Sequence, residues 1–154
     1  MKREFKSLSQ MSFSLPEGWS VSTDKYFLEN GQGFFNEENY ISKDGKVISF
    51  FAVFQNGEAF IEKYINLTNS YTEERDGLVK EKNFYIKLNG FSFPVFILKG
   101  NKEKEFHMVQ VFIDCGEGLG CFMFYIDKLS DNDKETISSN PVFMDVIKIL
   151  RTVQ

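Results

Sequence analysis

The stretch EFHMVQVFIDCGEGLGCFMFYID, residues 105–127, decides the fold. Side chains of a strand alternate between two faces, and a turn at Gly116-Glu117 or Glu117-Gly118 folds this stretch into a β-hairpin. With either turn, odd positions before it share a face with even positions after it, so Val109, Val111, Ile113, Phe122, Phe124 and Ile126 line one side. The other side carries Phe106, Met108, Phe112, Cys121, Met123 and Tyr125. A ribbon that is apolar on both faces must be covered twice, which places it in the middle of a layered structure.

Outward from this hairpin, the flanking segments supply neighbours and covers. In residues 83–99, Asn89-Gly90 is a primed-turn signal that sets Phe84, Ile86 and Leu88 on one face with Phe91, Phe93, Val95 and Ile97. Pro94 cannot donate to a ladder, so its strand is expected to be bulged or near an edge. Asp44-Gly45 joins the β-type runs 34–41 and 47–54, and a short strand at Phe13-Ser14-Leu15 stops at the turn Pro16-Glu17-Gly18, with Trp19 after it. Phe60, Ile61, Tyr64, Ile65 and Thr68 recur at helical spacing over residues 57–69. A second helix starts at Asn140-Pro141 and carries Phe143, Val146, Ile147, Leu150 and Val153. The expected fold is therefore one α+β domain over residues 1–154, an antiparallel sheet of about seven strands built from hairpins and sandwiched between helices.

Composition agrees with a sheet-rich globular chain. The 154 residues suit one domain, and 18 Phe and 6 Tyr stand against only Ala52 and Ala59, a bias towards pleated surfaces. The net charge of -4, with no dense Lys/Arg stripe, disfavours nucleic acid and favours a basic partner. No run approaches the ~20 apolar residues of a membrane-spanning helix. Lys2 and Arg3 are followed by no apolar run, so the expected location is cytoplasmic, although an exported chain with its leader removed would read the same. Cys115 and Cys121 face opposite sides of the hairpin, which disfavours a disulfide and is expected to leave two free thiols in a reducing compartment.

The opening Phe13-Ser14-Leu15-Pro16-Glu17-Gly18-Trp19 and the order of elements, closing with an amphipathic helix after a two-sided hairpin, resemble the PsbP and Mog family of α/β/α sandwiches, which includes bacterial DcrB-like proteins. The resemblance spans nearly the whole chain in element order, while the sequence match is confined to Leu-Pro-x-Gly-Trp. It implies a binding or assembly protein without catalysis. Family members are usually exported, and this chain departs from them in showing no leader.

The residues that bear chemistry support few sites. His107 is the only histidine and the natural general base. On the hairpin it shares a face with Cys115 some ~25 Å away along the strand, while Cys121 faces the other side. One His and two divergent Cys do not make a zinc site. The acidic cluster Asp127, Asp131, Asp133 and Glu135 lacks the glycine of a calcium loop and is interrupted by Lys128 and Lys134. Gly116, Gly118 and Gly120 precede a β-run rather than the helix that a phosphate cradle needs. The sequon Asn66-Leu67-Thr68 falls in an expected helix. Most of the aromatic surplus is expected in the core, and Trp19, Tyr85, Lys87 and Phe96 are the candidate partner-binding residues, on mixed faces or in loops. The expected function is a non-catalytic protein-binding module, such as an adaptor, a specialised chaperone or a toxin-neutralising partner, with no cofactor. The alternatives are a small hydrolase using His107 and a carrier of a small apolar ligand between sheet and helix.

Overall fold

The computed structural model describes residues 2–5, 11–30, 33–54, 77–100, 106–114, 118–127, 137 and 139–154. These residues contain β1 (Lys2–Phe5), β2 (Met11–Ser14), β3 (Trp19–Asn30), β4 (Gly33–Ser42), β5 (Val47–Phe54), β6 (Val79–Leu88), β7 (Phe91–Lys99), β8 (Phe106–Asp114), β9 (Gly118–Asp127) and the helix α1 (Pro141–Leu150). Seven strands form one antiparallel sheet in the order β3-β4-β5-β9-β8-β7-β6, and β1 and β2 pair separately. The two-sided hairpin is β8–β9, and it occupies the middle of the sheet as its pattern requires.

The hairpin registers follow from turn chemistry. Asp114 pairs with Leu119 at the end of the described β8–β9 ladder, and the turn residues 115–117 lie outside the described residues. Asn89 and Gly90 both adopt left-handed backbone (φ 52° and 82°), the geometry of a type I′ turn, and Leu88 pairs with Phe91. Ser42 to Lys46 form a three-residue loop in which Gly45 takes φ 88°, and the Ser42 side chain accepts from the Lys46 N–H at 2.9 Å. The Ser42 hydroxyl also donates to Asp44, and this bond holds the Asp44 carboxyl below its usual range. At Pro16–Trp19 the Trp19 N–H donates to the Pro16 carbonyl (3.2 Å) and Gly18 supplies the positive φ of a type II turn.

One face of the sheet, the first face, carries the main core. Tyr40, Ile48, Phe50, Val95, Ile97, Val109, Val111, Phe122 and Phe124 are buried there with Phe13 of β2 and Phe143, Val146, Ile149 and Leu150 of α1. Phe13 sets its ring edge-on to Phe50 and Phe122, each at 5.2 Å between centroids, so the small sheet works as a plug on the large one. Asn140 caps α1 by accepting from Val142 N (3.0 Å) and Phe143 N (3.2 Å), and Pro141 opens the helix. After α1, Gln154 exchanges two main-chain hydrogen bonds with Ser12, and the Ser14 N–H donates to Thr152 Oγ1 at 2.8 Å. The chain's end is thereby tied to β2.

Two expectations change. Seven strands do form the main sheet, but β2 lies outside it and β3 takes its place. The polar run Ser22-Thr23-Asp24-Lys25, where the register shifts between Val21 and Lys25, hides β3 in the sequence by interrupting its apolar pattern. α1 covers the first face as expected, whereas the expected helix over 57–69 lies outside the described residues, so helices on both faces are not part of the described architecture. Pro94 sits where the β7–β8 ladder begins, one residue before Val95↔Val111, and its strand is next to the edge.

Candidate functional site

The second face of the sheet combines buried and exposed residues. Its centre holds Met108, Gln110, Phe112 and Cys121, all buried. Gln110 directs its amide nitrogen at the thioethers of Met123 (3.6 Å) and Met108 (3.8 Å), and Leu78, Leu98 and Met108 form a small apolar cluster with Phe96 and Met123 against it. Towards the β4–β5 turn this burial ends. Ile41, Val47 and Tyr125 are 41%, 48% and 57% exposed. Ile41 pairs with Val47, and carrying the Ser49↔Met123 register two residues further brings Val47 beside Tyr125. The three side chains thus share one face of β4, β5 and β9, just beyond the end of the β5–β9 ladder.

Of the four residues singled out for partner binding, Tyr85, Lys87 and Phe96 share this second face. Tyr85 and Lys87 are exposed on β6, and Phe96 is half-buried, edge-on to Phe112 with centroids at 5.4 Å. The expectation that Trp19 is accessible is corrected: it is 8% exposed, because the type II turn starts β3 with its side chain on the first face, within the main core. The exposure of Ile41, Val47 and Tyr125 was not legible. Alternation assigns Tyr125 to its face, but only the extent of burial tells which residues of that face remain open.

His107 and Cys121 lie on opposite faces, as the hairpin parity requires. His107 is 1% exposed on β8, between Lys99 and Ile126 in register. The Cys121 thiol is free and buried, and burial pushes its pKa well above the usual thiol range, which suppresses the reactive thiolate. Cys115, the residues 131–135 of the acidic cluster and the sequon lie outside the described residues. Among the described residues no group of three His, Cys, Asp or Glu side chains gathers to hold a metal ion, and no helix is long and apolar enough to cross a membrane. No family model matches the chain, and neither does any curated protein.

Proposed function

We propose that this chain is a non-catalytic protein-binding module that docks a partner on the open end of its second face. The observation that carries this reading is the exposure of Ile41, Val47 and Tyr125, three large apolar side chains on one face of the sheet, with Ile41 and Val47 paired across β4 and β5. An aromatic residue flanked by aliphatic ones is the composition of an interface anchor, and a preformed sheet face binds without an ordering cost. The occupant is a basic protein, because the chain's net charge of -4 steers partners of opposite sign. The α/β/α layering and the likeness to the PsbP and Mog family belong to the same proposal. Complete burial of Gln110, Phe112 and Cys121 on the second face is what a covering layer produces. Against the hydrolase alternative stand the burial of His107 and the suppressed thiolate of Cys121.

The test places a photo-crosslinking amino acid at position 125, at 47, or at Met144, an exposed residue of α1. In the native host, one protein species is expected to crosslink from 125 and 47 and not from 144. Equal crosslinking from all three positions, or none from 125, refutes the proposal.

A further inference from the structure

Among the described residues β6 forms one edge of the seven-stranded sheet, and it pairs with β7. The type I′ turn at Asn89-Gly90 fixes which main-chain groups that pairing uses. Such a turn closes on a pair that exchanges two hydrogen bonds, here Leu88 and Phe91, and the pattern alternates from there. Phe84 and Ile86 therefore bond to β7, while Asn83, Tyr85 and Lys87 turn their N–H and C=O groups outward, to the sheet's edge. The side chains of these three residues are also exposed, Tyr85 by 58%. β6 carries Lys80, Lys82 and Lys87 against Glu81, a local excess of positive charge in a chain of net charge -4.

We propose that residues 83–87 of β6 accept an extended acidic segment of a partner protein as an added strand. Main-chain groups of Asn83, Tyr85 and Lys87 would bond the incoming backbone, and acidic side chains of the segment would stand beside the exposed Lys87. A second copy of this chain fits less well, since pairing two β6 edges sets one lysine-rich strand against another. The inference rests on the protein-binding reading but adds a second docking surface, for an acidic segment distinct from the basic protein on the second face, so its test and the crosslinking test fail independently.

The experiment is selection of short random peptides against the full chain, followed by fluorescence anisotropy of the selected peptides. Acidic residues are expected to be enriched at alternate positions. Binding is expected to weaken about tenfold or more with Lys87→Glu, and equally with Tyr85→Pro, which removes one outward N–H and leaves the β6–β7 hydrogen bonds intact. N-methylation of alternate peptide amides should abolish binding to the unmodified protein, an arm that needs no variant to fold. No enrichment, peptides without an acidic excess, or affinity that survives both Tyr85→Pro and N-methylation overturns the proposal. So does a dimer of the chain that Tyr85→Pro dissociates.

Discussion

Gly120→Ala tests how tightly the core over the central hairpin is filled. Gly120 lies on the first face of β9, paired with Ala52 and Ile113, and its backbone requires no glycine on conformational grounds. A Cβ at this position would stand 3.0 Å from Phe50 Cε2 and 3.1 Å from Cζ, well inside ordinary contact. The Phe50 ring cannot retreat easily: it is fully buried, with Phe122 at 4.8 Å, Phe13 at 5.2 Å and Tyr40 stacked at 6.4 Å between centroids. Overpacking of this kind costs about 1–3 kcal/mol, while loss of the glycine's unfolded-state freedom returns about 0.4–1 kcal/mol. The expected net loss is about 1–2 kcal/mol, or a fall in Tm of roughly 2–8 °C for a chain of this size. Urea denaturation followed by the fluorescence of Trp19, which is buried in the same core, reads it directly. The decisive measurement is the double variant. In a Phe50→Leu background the obstructing ring atoms are absent, so Gly120→Ala should become neutral or stabilising, a coupling of about 1–2 kcal/mol. A Gly120→Ala protein as stable as the parent, or a cost unchanged by Phe50→Leu, refutes the close-approach argument.

Three further outcomes follow from the geometry. Asn140→Ala removes the acceptor for two orphan N–H groups of α1 and should cost about 1 kcal/mol by thermal denaturation, with Asn140→Asp restoring most of it. Gly90→Ala has open space around its Cβ but φ at 82°, so its cost of about 1–2 kcal/mol is pure backbone strain and should be insensitive to any neighbouring substitution. In a Cys115→Ser background, Cys121 should be silent to a thiol reagent until the protein unfolds. Its folded pKa lies above its unfolded one, so its contribution is complete below about pH 8.5 and falls above that by up to about 1.4 kcal/mol per pH unit. Cys121→Ala should flatten that part of the stability profile.

The elements legible in the sequence were those whose information is local. Turn residues with positive φ at Asn89-Gly90 and Gly45, and the cap at Asn140-Pro141, fixed two hairpins and the helix. Unbroken alternation over 105–127 fixed the centre of the sheet. β3 was hidden because Ser22-Thr23-Asp24-Lys25, at its register shift, is polar at every position, so no apolar period of two runs through Trp19–Asn30. β1 was hidden as well, since Lys2-Arg3-Glu4-Phe5 has only one apolar residue and is a strand through its pairing with β2. The role of Gly120 is likewise hidden from local sequence: it follows Gly116 and Gly118 closely, yet it lies within β9 and makes room for a ring on β5. Partner binding was less legible still, because exposure on a two-sided sheet depends on where burial stops.

A single parity links the proline that the sequence made suspicious to the edge proposed as a docking site. Because the Asn89-Gly90 turn makes Leu88–Phe91 a bonded pair, Tyr85–Pro94 is a non-bonded one. Pro94 therefore lacks its N–H on the side facing β8, where the described ladder has not yet begun, and the β6–β7 pairing loses nothing. The same alternation turns Tyr85 outward. The contrast between two substitutions isolates this argument: Tyr85→Pro should leave stability within about 1 kcal/mol of the parent, whereas Ile86→Pro, one residue on, removes a bonded N–H and should cost about 3 kcal/mol or more. Comparable losses at both positions would mean that the parity is wrong, and the outward-facing groups at Asn83, Tyr85 and Lys87 would be wrong with it.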